Sequence, residues 1–269
     1  MNDLMTMLSF DFVRRALLVG LLVSVCAALL GVILVLKHYS LIGHGLADVG
    51  FASLTLALAL GLNPVLVSMP LVIAASFIIM YYSQKKGISG DTAIGIAATT
   101  ALALGGIITY LSKGFNIDVG GYLFGSVLSI EKTDVILSVI LALLVVGIFI
   151  IFYNRLFIIT CDEGFAKASG IKVSFYQFLI AFLTAITVVI GMRIVGTLLI
   201  SSLIIFPAVS AKKISKSFKG MIFTAAILSA VCFLLGMFAS ALLNLPTGAC
   251  VVTANVIVMI FSGIAARFK

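Results

Sequence analysis

Residues 39–64 of this chain read YSLIGHGLADVGFASLTLALALGLNP, which is apolar enough to enter a membrane although it contains two ionisable side chains. His44 and Asp48 are four residues apart, a spacing that places both on one face of a helix. A carboxylate at the centre of a membrane helix costs about 2.5–3.5 kcal/mol on insertion scales, so it is rarely present for packing alone. Imidazole and carboxylate suit zinc or manganese, and the pair is therefore a candidate for two ligands on the path of a transported metal ion. The alternative is a His–Asp hydrogen bond that only fixes helix packing.

The rest of the chain is similarly apolar, with 63% hydrophobic and 10% charged residues among 269. Nine apolar segments of roughly bilayer length are separated by short turns that contain Gly, Pro or charged residues. The predicted segments are about 12–36, 41–61, 64–82, 92–111, 133–153, 174–192, 194–210, 218–241 and 248–266. We therefore predict an all-α polytopic membrane protein, a bundle of about nine transmembrane helices that forms a single domain over residues 1–269.

The seventh segment, 194–210, is the weakest of the nine. Its apolar core is too short to span a bilayer at 1.5 Å per residue, and a re-entrant segment here would leave eight crossings. With nine crossings, twelve of the 17 basic residues lie on one side of the membrane. The positive-inside rule then predicts a cytoplasmic C-terminus and an external N-terminus. This rule also accounts for the net charge of +8, which in a soluble protein would have indicated nucleic acid as a partner.

The chemistry of an enzyme is not evident in the sequence. The four cysteines are widely spaced and form no CxxC pair, which favours neither a disulfide framework nor a zinc knuckle. The sequence contains no Walker A loop, so ATP-driven transport would need a motor on another polypeptide. We expect a transport protein without catalytic activity of its own.

Two predicted cytoplasmic loops have the composition of docking surfaces. Residues 160–170, TCDEGFAKASG, are charged and helix-competent, with Asp162 placed to cap a short helix. Residues 206–220, FPAVSAKKISKSFKG, contain four lysines, and Pro207 can start a helix there. A helix that lies on lipid headgroups has the same composition, so both a lipid surface and a protein partner remain open for these loops.

On the predicted outer side, two stretches are candidate elements of the entrance. Residues 116–125 run from polar to glycine-rich, and a Gly-bounded turn at the mouth competes there with a plain loop. Residues 244–248, NLPTG, form a turn that would face outside, where a protein that captures the cargo could dock.

The order of motifs resembles the ABC-3 family, the membrane subunits of bacterial ABC importers for zinc and manganese. Six stretches carry the resemblance over about 80% of the chain. They are SLIGHGLADVGFASLTLALALG (40–61), GDTAIGIAATTALALG (90–105), DVGGYLFGSVLSI (118–130), CDEGFAKASGIKV (161–173), RIVGTLLISSLIIFPAVSAKKIS (193–215) and LPTGACVV (245–252).

The resemblance implies a permease that forms a homodimer in the bacterial plasma or inner membrane. It also implies two partners: cytoplasmic ATP-binding subunits and an extracellular metal-binding lipoprotein. The coupling helix that contacts the ATPase is expected within residues 206–217. The expected coupling residues are Pro207, Lys212, Lys213, Ser215 and Lys216.

The sequence departs from the family pattern at two places. Relatives usually carry Asp and then His four residues later, in a pattern like GDxLxH, whereas here His44 precedes Asp48. Either the site persists with its ligand order reversed, or the chain belongs to a branch with altered metal preference. Asn244 stands where relatives often have Asp before the Pro-x-Gly turn, which weakens the case for an acidic ligand at the entrance.

We predict a permease subunit of an ATP-binding-cassette importer for divalent transition metals, zinc first and manganese second, with His44 and Asp48 in the transport path. The transported Zn²⁺ or Mn²⁺ is the cargo, and no covalently bound cofactor is expected. The alternative is a proton-coupled secondary metal transporter or a channel without an ATPase, in which Asp48 would relay protons. Import of a bulky cobalamin- or siderophore-like ligand is a third possibility.

Overall fold

The computed structural model describes residues 11–85, 89–112, 125, 132–243 and 245–267. Within these ranges the regular secondary structure is helical. The helices are α1 (Asp11–Leu36), α2 (Ile42–Ala59), α3 (Pro64–Lys85), α4 (Gly90–Leu111), α5 (Lys132–Ile151), α6 (Tyr153–Cys161), α7 (Glu163–Ala168), α8 (Val173–Val195), α9 (Thr197–Ile214), α10 (Phe218–Leu243) and α11 (Thr247–Arg267).

Nine of the described helices, all except α6 and α7, are long and apolar enough to cross a membrane. Each of them overlaps one of the nine predicted apolar segments, which confirms the predicted all-α polytopic class. The short helices α6 and α7 lie between two spans. α7 lies within the charged, helix-competent loop that the sequence predicted at 160–170, whereas α6 largely precedes it.

The helix over the weakest segment is longer than its hydropathy indicated. α9 contains 18 residues without interruption, and at 1.5 Å per residue it is about 27 Å long, close to the hydrocarbon thickness. Gly196 separates α9 from α8 and has a φ of 91°. Residues other than glycine rarely adopt this backbone conformation. The structure therefore favours nine spans over the eight that a re-entrant segment would leave.

One compact unit contains the described parts of residues 33–118 and 148–189. Its central helix is α2, which packs against both α3 and α4. A Cβ on Gly45 would lie 2.5 Å from Ile94 Cγ2, so α2 and α4 approach closely at this glycine. α3 and α8 meet through the rings of Phe77 and Phe178, edge to face with centroids 5.4 Å apart.

The second unit contains the described parts of residues 1–32, 119–147 and 190–269. Here α9 packs against α10 and α11. Ser229 on α10 donates a hydrogen bond of 2.8 Å to the Ser24 carbonyl on α1, and both serines are fully buried. Arg193 at the end of α8 lies 3.3 Å from the buried Asp134 carboxylate in the first turn of α5, which pairs two helix ends by charge.

Candidate functional site

The start of α2 is fixed by contacts with two neighbouring helices. Leu41, the N-cap residue, has no side-chain cap of its own, but its N–H donates to Asp91 Oδ1 at 3.3 Å, in the first turn of α4. Tyr39 is buried in the preceding turn, and its hydroxyl lies 2.8 Å from Ser83 Oγ on α3. A backbone N–H at the start of a helix needs a partner outside the helix, and Asp91 provides one for Leu41. Together the two contacts anchor the first turn of α2. The residues that follow are therefore held in a defined position.

His44 and Asp48 lie on the same face of α2, as their spacing predicted. His44 Nε2 is 3.7 Å from Asp48 Oδ2, which is too long for a hydrogen bond. The imidazole is 55% exposed and the carboxylate only 13%. The pair thus has one accessible and one nearly buried candidate ligand within a single helical turn.

The described residues contain no group of three or more His, Cys, Asp or Glu side chains arranged to hold a metal ion. A metal bound to His44 and Asp48 would therefore need water or another donor to complete its coordination. Tight structural sites usually have four protein ligands. A pair of ligands instead suits an ion that binds and leaves.

Besides the carboxylate of Asp48, α2 carries two buried hydroxyl groups, those of Ser53 and Thr55. Thr55, two turns after Asp48 on the same face, donates to the Ala52 carbonyl at 2.8 Å. Ser53 donates to the Gly50 carbonyl at 2.8 Å. Both hydroxyls bond within their own helix, so their oxygen lone pairs remain available on a buried face. Sequence reasoning did not select these residues, because hydroxyls that satisfy their own helix are common in membrane spans.

The short helix α7 is formed as the sequence predicted. Asp162 Oδ1 accepts a hydrogen bond of 2.9 Å from the Phe165 N–H, the geometry of an N-cap. Within α7, Ala166 is fully buried, whereas Phe165 is 60% exposed. An exposed phenylalanine on a charged surface helix is the kind of anchor that a protein partner covers.

Glu163 on α7 is the centre of a polar cluster that sequence reasoning missed. Its Oε2 accepts from Lys37 Nζ at 2.9 Å and from Gln177 Nε2 at 3.0 Å, and its Oε1 accepts from Lys167 Nζ at 2.9 Å. Burial alone would raise the pKa of Glu163, but hydrogen bonds and charge from Lys37 and Lys167 outweigh it and hold the pKa below its usual value. We call these four residues the Glu163 cluster.

A polar cavity of about 450 Å³ lies beside the Glu163 cluster. Three members of the cluster line it, together with residues of α1, the turn after α1, α3 and α6. The lining residues are Leu36, Lys37, Tyr39, Ser83, Ile159, Thr160, Cys161, Glu163 and Gln177. The cavity lies entirely within the unit that contains α2.

The predicted coupling region, 206–217, differs from the expected surface helix. Pro207 does not start a helix; it lies inside α9 and is buried. α9 ends at Ile214, and Ser215 Oγ donates to Thr224 Oγ1 on α10 at 3.0 Å, which ties the turn to the next span. The helix continues through Pro207, and the buried small residues after it extend the packed face of α9.

The four lysines of the loop 206–220 lie at the end of α9, in the turn that follows and in the first turn of α10. The exposed ones are Lys212, Lys213, Lys216 and Lys219. The exposed part of the region is therefore the stretch after Ala211.

The two predicted entrance elements are described only in part. Of the stretch 116–125 the structure describes only Gly125, which has a φ of 75° and lies against the backbone of Val195 and Gly196. Asn244 is not among the described residues, and α11 begins at Thr247 within the same turn motif. The cysteines are free, with Cys161 exposed and Cys26 buried.

Comparison with known proteins gives the same family for almost the whole chain. The model of the ABC 3 transport family matches residues 9–266. The manganese import system permease protein ScaB of Streptococcus gordonii is 32% identical over 253 residues, which cover 94% of this chain and 91% of the relative. The high-affinity zinc uptake system membrane protein ZnuB of Haemophilus influenzae is 29% identical, with 94% and 97% covered.

A solved structure has the same fold. PsaBC from Streptococcus pneumoniae, in complex with a Fab, superimposes with a TM-score of 0.84 at 30% identity and covers 97% of this chain and 94% of the solved one. Sequence family and fold agree over the same residues. This chain belongs to the ABC 3 transport family.

Proposed function

We propose that this chain is the membrane-spanning permease subunit of an ATP-driven importer for a divalent transition metal. The observation that carries the proposal is the pair of His44 and Asp48 on one face of a membrane-spanning helix, in a chain of a transport family. The names of its relatives describe manganese import and zinc uptake, which supports a metal ion as the cargo. ATP hydrolysis is assigned to a separate partner subunit.

The pair supplies a transient site along the path of the ion. Asp48 lies six residues after the start of α2, so it is about 9 Å inside the span. Its carboxylate offsets part of the charge of a dehydrating cation, and the neutral imidazole of His44 adds a second donor one turn away. Conduction requires binding that is favourable enough to admit the ion and weak enough to release it. Two protein ligands completed by water meet both requirements.

Zinc remains the first candidate for the cargo and manganese the second. Imidazole is a good ligand for zinc, whereas manganese prefers a shell of oxygen ligands. The test is uptake of radioactive zinc by cells that express the complete transporter, with unlabelled manganese as competitor, and the reciprocal experiment. We expect ATP-dependent uptake in which unlabelled zinc inhibits manganese uptake at a lower concentration than unlabelled manganese inhibits zinc uptake. Uptake that continues after loss of the ATP-binding subunit would contradict the importer.

The ATP-binding partner is proposed to dock on α7, which lies in one of the two loops with the composition of a docking surface. The exposed side chain of Phe165 offers an apolar anchor for a partner protein. The second proposed contact is the lysine-rich end of α9 with Lys212, Lys213, Ser215 and Lys216. The buried position of Pro207 limits its contribution to the shape of α9.

The remaining partners follow from the same proposal. A metal-binding lipoprotein would deliver the ion on the outer side, near the turn at 244–248. A second copy of the permease would complete the path. The excess of basic residues on one side supports a bacterial cell-membrane protein with its C-terminus in the cytoplasm.

A further inference from the structure

A single carboxylate joins the surface helix α7 to two membrane-spanning helices. Glu163 accepts hydrogen bonds from Lys37, directly after α1, and from Gln177, in the second turn of α8. Lys37 and Glu163 are 126 residues apart in the chain. The contact therefore connects distant segments, unlike the Lys167–Glu163 pair, which lies within one helical turn.

The Lys37–Glu163 contact is more sheltered than an ordinary surface ion pair. The Lys37 side chain is 10% exposed, whereas Lys167, the other lysine on the same carboxylate, is 65% exposed. α7 contains six residues, of which Ala166 is the buried one. The Glu163 cluster is therefore a principal attachment of α7 to the helices around it.

Lys37 begins the short connection that leads into the candidate metal site. The turn after it contains Tyr39 and Leu41, whose hydrogen bonds to Ser83 and Asp91 fix the start of α2. His44 follows Lys37 by seven residues. A displacement of α7 that pulls on Lys37 would thus be transmitted to the first turns of α2.

The cavity beside the cluster gives these groups room to move. Its volume of about 450 Å³ lies against Lys37, Glu163 and Gln177, so the ion pair is not enclosed by close-packed side chains on all sides. A tightly packed interior would resist such a shift.

We propose that Glu163 is a positioning residue for transport, which couples movement of α7 to the start of α2 through Lys37. The proposal rests on the proposed function, in which the ATP-binding subunit contacts α7. Glu163 does not bind the metal; it determines whether a movement of the docking helix changes the position of His44 and Asp48.

The test uses the complete complex of permease, ATP-binding subunit and metal-binding lipoprotein in proteoliposomes. The measured quantity is the amount of zinc, and in a second series manganese, transported per ATP hydrolysed. Lys37→Met and Glu163→Gln should each lower this ratio at least about fivefold, the lower end of typical coupling between sites, while ATP hydrolysis continues. Loss of a merely structural contact would lower the amount of active complex without changing the ratio.

Three further variants sharpen the comparison. Lys167→Ala removes the exposed ion pair on the same carboxylate and should leave the ratio unchanged. Lys37→Arg keeps the charge and should also keep the ratio. The triple variant Lys37→Glu, Glu163→Lys and Lys167→Glu reverses every charge in the cluster, and the Gln177 amide can present its oxygen to the new lysine; the ratio should recover at least in part.

Two results would overturn the positioning role. The first is a wild-type ratio in Lys37→Met and Glu163→Gln. The second is an equal fall of the ratio in Lys167→Ala. An unsubstituted complex that hydrolyses ATP but transports neither zinc nor manganese would instead contradict the proposed function, and the positioning role would fall with it.

Discussion

His44 Nε2 and Asp48 Oδ2 lie 3.7 Å apart on α2, with the imidazole accessible and the carboxylate nearly buried. Because of this difference in exposure, the two residues would have different roles in transport. Asp48, inside the span, carries the larger desolvation cost and would provide the main charge interaction with a passing cation. His44, nearer the end of the span, would receive or release the ion where water can still complete its coordination.

Cys161 tests the predicted orientation of the membrane protein. It is exposed at the end of α6, between two spans, on the side predicted to be cytoplasmic. In a variant that keeps Cys161 and replaces the other three cysteines by alanine, a membrane-impermeant maleimide should label the protein only after the cells are permeabilised. Labelling of intact cells to the same extent would reverse the assigned topology.

Phe165 tests the proposed docking surface on α7. Its side chain is 60% exposed, so Phe165→Ala should change the stability of the isolated permease by no more than about 0.5 kcal/mol. Removal of an interface anchor typically costs about 2 kcal/mol or more of binding free energy. Phe165→Ala should therefore weaken binding of the ATP-binding subunit at least about thirtyfold. The measurement is affinity of the purified ATP-binding subunit for permease in nanodiscs.

Phe223→Ala is the matched control for this experiment, because Phe223 is equally exposed at 60% but lies within the membrane span α10. It should leave the affinity of the ATP-binding subunit unchanged. Equal affinities for the Phe165 variant and the wild type would show that α7 is not the docking surface.

Glu163 makes part of the stability dependent on pH. Its pKa is depressed in the folded protein, so its contribution is fully present above the unfolded-state pKa and is lost as the pH falls through the folded-state value. Near pH 7 the wild type should melt about 2–4 °C above Glu163→Gln, as expected for an ion pair worth up to 1 kcal/mol.

The melting difference between wild type and Glu163→Gln should shrink as the pH is lowered below the usual glutamate range. Scanning calorimetry in detergent at several pH values measures it. A difference that stays constant, or grows toward low pH, would contradict the assignment of the depressed pKa to the Glu163 cluster.

The sequence predicted what depends on short spacing and continuous hydrophobicity. The nine spans follow from runs of apolar residues, since each run satisfies the length of the bilayer. The shared face of His44 and Asp48 follows from a four-residue interval. The cap at Asp162 follows in the same way, because a capping side chain reaches only the next few N–H groups.

Contacts between distant segments could not be predicted in this way. Lys37 appeared in the sequence only as one of many basic residues that set topology, and its partner Glu163 is 126 residues away. The length of α9 was also underestimated. Proline usually ends or kinks a helix, whereas here the helix continues past the buried Pro207 to Ile214.

The most direct test of the account is ATP-dependent uptake of zinc and manganese by the reconstituted transporter with Asp48→Asn or His44→Gln. Both substitutions keep the size of the side chain, so normal expression and ATP-subunit binding are expected. Asp11→Asn, which makes the same change at an exposed helix start, is the control and should transport like the wild type. Asp48→Asn should lower uptake at least about tenfold, because loss of a residue that only supports a metal ligand already costs about 10–100-fold, and His44→Gln should lower it less. Wild-type uptake in both variants would contradict the metal path through α2.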